Sequence, residues 1–328
     1  MTEGTGRILV TGACGQIGTE LVPELRRRYG RENVIAADIK EAKGVLADSG
    51  PFEIADVTEK EAIERLILRY EIGMVYHLAA VLSAKGEQEP KRAWEVNVDG
   101  LRNILELARE HELRLFWPSS IAVFGPTSPK EVVPQETILS PTTMYGITKV
   151  AGELLCEYYI RRYGLDIRGV RYPGIIGGGA PPGGGTTDYA VEIFYAAVRE
   201  RRYICFLRED TVLPMMFMPD AIRAAIELME APIKRLKRRV NYNLAAMSFS
   251  PRELVREIRK HVPEFICEYR PDYRQEIASS WPRTIDDTAA REEWGWRPHY
   301  DLQEMVREML KRLGVRSETG SAQRRPGS

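Results

Sequence analysis

Short apolar runs alternate along the chain with longer stretches in which apolar positions recur at helical spacing. The runs Arg7–Val10, Val34–Asp38, Met74–Leu78, Arg114–Pro118 and Asp166–Tyr172 are strand-length and rich in aliphatic residues, and they predict buried strands. Between them the spacing predicts helices over about Gln16–Tyr29, Lys60–Arg69, Pro90–His111 and Met144–Tyr163. Strands joined through helices run parallel with crossover connections. A further strand near Tyr242–Leu244 brings the sheet to at least six strands. The expected fold class is α/β, a doubly wound parallel sheet.

From Gly174 to Gly185 the composition changes abruptly to glycine and proline, which breaks the pattern and predicts a loop at the edge of a second lobe. The expected organisation is a nucleotide-binding domain over 1–173, with a return segment at about 215–249. A smaller C-terminal substrate lobe takes 174–214 and 250–315. The stretch 316–328 is polar and aperiodic and is expected to be a disordered tail.

Charge narrows the ligands. With 47 Lys+Arg against 47 Asp+Glu, no field of one sign is available to draw in nucleic acid or an anionic membrane. Small molecules are the expected partners. Cys14, Cys156, Cys205 and Cys267 form no close-spaced pair and the four histidines are dispersed, so neither a metal site nor a disulfide framework is expected. Residues Met1–Gly6 show no leader pattern, and no apolar run reaches the roughly 18 residues that span a bilayer. A cytoplasmic protein is expected.

Three glycines, Gly12, Gly15 and Gly18, stand between the first strand and the first helix. The first suits a tight turn, the second close approach of a pyrophosphate, and the third close packing of helix on strand. Free N–H groups at the helix start, around Cys14, Gln16 and Ile17, are placed to receive the negative charge. This reads as a Rossmann-type dinucleotide site. Asp38 ends the second strand, where its carboxylate either accepts from the adenosine ribose hydroxyls, repelling a 2′-phosphate and selecting NAD, or serves as a turn residue. Asp56 and Val57 fall where a loop covers adenine. Leu78, Ala79 and Ala80 close the third strand with small residues, for passage of the cofactor or for packing. Cys14 is either a buried filler or a point of thiol sensitivity.

Tyr145 and Lys149 are one helical turn apart and share a face. An ammonium near a phenol, together with a positive nicotinamide, favours the phenolate and makes Tyr145 a candidate general base. Ser119 and Ser120 follow the strand ending at Pro118, at the carboxyl edge of the sheet where ligands of such folds bind.

Taken together, Gly12, Gly15, Gly18, Asp38, Ser119, Ser120, Tyr145 and Lys149 resemble the pattern of the extended short-chain dehydrogenase/reductase family, over nearly the whole chain. The resemblance implies that a serine, aligned as Ser120 with Ser119 beside it, flanks the reacting carbinol with Tyr145, while Lys149 also holds the nicotinamide ribose. Asn97 resembles the asparagine that orders the middle of such sites, with a helix-kink or packing role as its other reading. Tyr172 and Pro173 are expected to contact the cofactor.

Three stretches are similar to the L-threonine 3-dehydrogenase branch of that family: Trp117 to Pro126, Arg171 to Gly174 with Pro182 to Val191, and Ser280 to Asp287. The resemblance implies oxidation of L-threonine at C3 by NAD to 2-amino-3-oxobutanoate and NADH. Substrate contacts are expected from Ser83, Ser119, Tyr145, Gly184, Thr186, Asp188 and Trp281. Asp188 meets an ammonium or caps the helix expected near Thr186, whose open N–H groups suit a carboxylate. Trp281 walls the cavity or packs between lobes. The apolar stripe Pro214–Pro219 suits a small substrate better than a diphosphate, or belongs to the core. The resemblance also implies a homodimer built on the helices near 90–111 and 144–163. An NAD-dependent nucleotide-sugar epimerase or dehydratase, and a non-catalytic NAD-sensing protein, remain as alternatives.

Overall fold

A computed structural model describes residues 6–179 and 185–314. Its central sheet has six parallel strands, in the spatial order Phe52–Ile54, Val34–Asp38, Arg7–Thr11, Ile72–His77, Arg114–Phe116 and Ile167–Arg168. The chain winds outward from Arg7–Thr11 in one direction, then returns to Ile72–His77 on its other side. That reversal opens a crevice at the carboxyl ends of these two strands, the place where such sheets bind ligands. Burial on both faces explains why the strands read as continuous apolar runs.

Two apolar clusters flank the sheet. One gathers Leu21, Val22 and Leu25 of helix Gly18–Tyr29 with helix Met218–Glu230 and Trp296. The other gathers Ile63, Leu101, Ile104 and Tyr159 from the helices on the opposite side. A third cluster, with Tyr189, Phe194, Phe249, Leu254 and Met305, lies around two small sheets. One of these contains Gly174–Ile176, Leu213–Phe217 and Met247–Phe249, and the other pairs Arg202–Cys205 with Ile266–Tyr269.

Several elements differ from the sequence expectation. The strand over Asp166–Tyr172 breaks at Gly169, where an added Cβ would strike the Trp117 carbonyl oxygen. Ile167–Arg168 stays in the central sheet, whereas Val170–Tyr172 pairs with Ser119–Ser120 on one side and Tyr242–Asn243 on the other. The strand near Tyr242–Leu244 is thus not the sixth strand of the central sheet. Phe52–Ile54 fills that number, and three residues are too few to show an alternation. The helix over Pro90–His111 is interrupted by a wide turn at Glu95–Asp99, which carries Asn97. The stripe Pro214–Pro219 is core: Leu213–Phe217 is buried throughout, with Met215 and Met216 in different clusters.

Helix Met144–Tyr163 matches its expected bounds, because Thr143 accepts the Gly146 N–H at its start and Gly164 at φ 74° ends it. All four cysteines are free thiols. Among the described residues, no helix is long and apolar enough to cross a membrane. The stretch 316–328 and Gly184 lie outside the described residues.

Candidate active site

The crevice is floored by the glycine turn. Gly12 has φ 71°, and a Cβ there would lie 2.5 Å from the Ala79 nitrogen. A Cβ on Gly18 would lie 2.6 Å from the Ala13 carbonyl oxygen, so the helix approaches its strand only because Cβ is missing. Gly15 is less confined, with its nearest neighbour, the Gly12 oxygen, at 3.2 Å from such a Cβ. Gly12, Gly15, Gln16, Ile17 and Gly18 all line one cavity with Leu78 and Ala80. The Gln16 side-chain nitrogen is buried there without a partner among the described residues. A bare backbone turn at a helix start with an unused donor fits a pyrophosphate.

Asp38 stands beside this turn. Its carboxylate accepts from the Cys14 N–H at 2.9 Å and the Lys40 N–H at 3.0 Å, which ties the strand end to the glycine loop. Two oxygens retain further acceptor capacity. Cys14 points away from the cavity, towards the Lys40 and Glu41 carbonyls, and burial followed by the Asp38 charge pushes its thiol up. Ala79 does not line the cavity and packs beneath Gly12.

Asp56 and Val57 are also outside it. Burial works to raise the Asp56 carboxyl, but Thr58 and Arg92, the latter at 2.9 Å, hold it below its ordinary range. Val57 is buried against Gly100.

Tyr145 and Lys149 enter the cavity from the first turns of helix Met144–Tyr163. Burial pushes the Tyr145 phenol up to about 12, and a hydrogen bond with Ser120 draws it partly back. The Lys149 ammonium is aimed elsewhere: it donates to the Pro118 carbonyl at 2.6 Å and sits 4.7 Å from the Trp117 ring centroid. Burial lowers it to about 8.

The serine pair separates as alternation along a strand requires. Both serines line the cavity, but Ser120 meets Tyr145, whereas the Ser119 hydroxyl donates to Glu153 at 2.6 Å. Asn97 does not line the cavity. Its amide accepts from the Val81 N–H at 2.7 Å and donates to the Val81 carbonyl and the Thr148 hydroxyl, each at 3.0 Å. All of its polar atoms are occupied in joining the Val81 loop to the helix of Tyr145.

The same cavity is also lined by Ser83, Thr186, Asp188 and Trp281, with Tyr172 and Pro173. The Tyr172 hydroxyl is turned outward and donates to the Ala221 carbonyl at 2.6 Å. Asp188 precedes helix Tyr189–Arg199 but makes no cap bond to it; its carboxylate accepts the Gly185 N–H at 2.7 Å and closes the turn before the helix. Ala190 and Val191 donate their N–H groups to Thr187 and Asp188 carbonyls, so those two are not open to a carboxylate. Leu82, Ile121, Ile175 and Thr187 also line the cavity. Ile121 and Thr187 fall within stretches that the sequence marked, whereas no motif marks Leu82 or Ile175, whose only signal was adjacency to residues that the sequence did single out.

Residues 8–245 match the profile of the NAD dependent epimerase/dehydratase family. The chain belongs to this family. Its cofactor is NAD, and it is an NAD-dependent oxidoreductase. A Staphylococcus haemolyticus protein known as an uncharacterized epimerase/dehydratase is 51% identical, over 94% of this chain and 97% of its own length. The holo form of a GalE-like L-threonine dehydrogenase from Cupriavidus necator is 52% identical with a TM-score of 0.91, covering 94% of this chain and 99% of that one. L-threonine dehydrogenase from Clostridium difficile is 46% identical with a TM-score of 0.92, covering 95% and 100%.

Proposed function

We propose that the protein oxidises L-threonine at C3 with NAD, forming 2-amino-3-oxobutanoate, NADH and a proton. The observation that carries this reading is a single cavity in which the Tyr145–Ser120 pair shares space with Ser83, Thr186, Asp188 and Trp281. NAD supplies the hydride acceptor when bound. Ser120 orients the C3 hydroxyl and Tyr145 takes its proton. Because burial holds Tyr145 up at about 12, the phenol needs positive charge brought into the cavity before it ionises at neutral pH. Lys149 shares its helix face and contributes part of that charge. Asp188 faces the substrate ammonium, and the Ser83 and Thr186 hydroxyls donate to its carboxylate. Asp38 accepts from the adenosine ribose and disfavours a 2′-phosphate.

Charge also weighs against a sugar nucleotide. Lys149 is the only cation among the described lining residues, and it is engaged with Pro118. A second pyrophosphate would find no arginine fork there. The test is NADH formation from NAD with L-threonine, run beside UDP-galactose. Threonine-dependent absorbance supports the reading, and sugar isomerisation without it replaces the reading. Tyr145→Phe should lower turnover by about 10² to 10⁴ while preserving NADH binding, the range expected of a general base. Most of the activity surviving in that variant would remove Tyr145 from its role.

We further infer a homodimer paired through helix Met144–Tyr163. Its Ile147, Leu154 and Tyr158 are 42%, 63% and 53% exposed and recur at helical spacing, an apolar stripe unusual on a free surface. A light-scattering mass of one chain at micromolar concentration would remove that inference.

A further inference from the structure

Three consecutive residues at the edge of the sheet each hold one residue of the catalytic helix. Ser120 stands beside Tyr145 and draws its phenol down, the Pro118 carbonyl accepts from Lys149 at 2.6 Å, and the Ser119 hydroxyl donates to Glu153 at 2.6 Å. Tyr145, Lys149 and Glu153 recur every four residues and therefore form one stripe along the helix. The docking has no slack. A Cβ on Gly152 would lie 2.5 Å from the Trp117 ring, and one on Gly146 would strike the Ala122 carbonyl.

Glu153 is itself gripped from the other side. Arg171 donates to both of its oxygens, at 2.8 and 2.7 Å, and continues to the Gln135 carbonyl at 3.2 Å and Asn243 at 3.3 Å. Glu153 is 2% exposed and Arg171 5%. Desolvating two charges offsets much of their attraction, and apolar replacements of such pairs are often as stable. Stability is therefore a weak reason for an ion pair at this place, directly behind the reacting hydroxyls.

We propose that Glu153, clamped by Arg171, is a positioning residue: through Ser119 it holds the segment Pro118–Ser120 in the one register that brings Ser120 to Tyr145 and the Pro118 carbonyl to Lys149. Its charge acts on the same stripe. Around Lys149 stand Tyr145, Glu153 and Cys156 on its own helix, His77 on the central strand, and Arg171 behind Glu153. Across the helix, Leu101 packs at Gly152; Glu87 accepts from the Met144 N–H at the helix start, and Glu106 is bonded to Tyr159 further along. Burial pulls Lys149 down, while Cys156 and Glu153 pull it up. His77 is held neutral by burial, at about 3. Glu153 is thus the carboxylate on this stripe that favours the ammonium, acting beside Cys156.

Only the turnover part of the test rests on the threonine reading. In the full-length protein, isotope-labelled lysine side chains are titrated by NMR, with Lys149 assigned by its absence in Lys149→Met. Glu153→Gln should lower the Lys149 midpoint by about half a pH unit or more, since the opposite charge one helical turn away on the same face has been lost. A midpoint unchanged from wild type overturns the electrostatic part. Ser119→Ala keeps the ion pair and removes only the tie. It should lower kcat by about tenfold or more, with NADH affinity unchanged, because misplacement by a fraction of an ångström is costly to reaction geometry. A kcat within twofold of wild type overturns the positioning role. If Glu153→Gln does not fold, Ser119→Ala decides the matter by itself; if wild type does not oxidise threonine, the titration does so and the threonine reading fails separately.

Discussion

Replacing Lys149 by methionine should stabilise the fold at neutral pH while removing a group the chemistry uses. Lys149 is 5% exposed, and burial lowers its ammonium from 10.5 to about 8. At about 1.4 kcal/mol per pH unit, keeping the charge inside costs roughly 3 kcal/mol wherever the lysine is protonated in both states, which is below about pH 8. The folded value lies below the unfolded one, so the wild type gains stability as pH rises from about 8 to 10.5 and loses it again as pH falls through that window. Above it the lysine is neutral in both states and the cost is absent. Methionine fills similar space without charge, but it leaves the Pro118 carbonyl without its 2.6 Å donor, a loss of about 2 kcal/mol at any pH. The balance is a gain of roughly 1 kcal/mol for the variant at pH 7 and a loss of roughly 2 kcal/mol near pH 10.5. Urea unfolding of both proteins, followed by circular dichroism at the two pH values, measures the difference. A stability gap that does not move with pH, or moves in the variant's favour as pH rises, refutes the reasoning.

Two other substitutions probe the frame around the site. Gly18→Ala places a methyl 2.6 Å from the Ala13 backbone oxygen, which cannot move without opening the glycine turn; NADH affinity measured by fluorescence should fall about tenfold or more, and binding within twofold of wild type would contradict the close-packing argument. Asn97→Ala strips partners from both polar groups of Val81 and from Thr148, so it should cost about 2 kcal/mol in denaturant unfolding and raise the KM for threonine as the Val81–Ser83 wall loosens. Wild-type stability in that variant would mean that water satisfies those groups.

Much of the site is legible in the sequence, but unevenly. Gly12, Gly15 and Gly18 were legible because a turn between a strand and a helix limits residue type by backbone sterics alone. Tyr145 and Lys149 were legible as a pair because four residues make one helical turn in any helix. Ser119 and Ser120 were not separable. Their side chains leave the strand on opposite sides, and which side meets Tyr145 depends on the helix that arrives later in the chain. Asn97 carried the right chemistry to touch a ligand, yet the wide turn at Glu95–Asp99 turns it towards Val81 and Thr148 instead. The Glu153–Arg171 pair had no sequence signal at all, since 18 residues and two different elements separate its members.

The sequence by itself determined the alternation of elements, the glycine turn and the spacing of phenol and ammonium, all of which follow from local backbone geometry. Only the tertiary structure decided which serine meets the phenol, where the Asp166–Tyr172 run breaks, and that burial drives Tyr145 up and Lys149 down. Those outcomes depend on how much water is excluded from a given atom and on which distant groups replace it. Residues far apart in the chain set both.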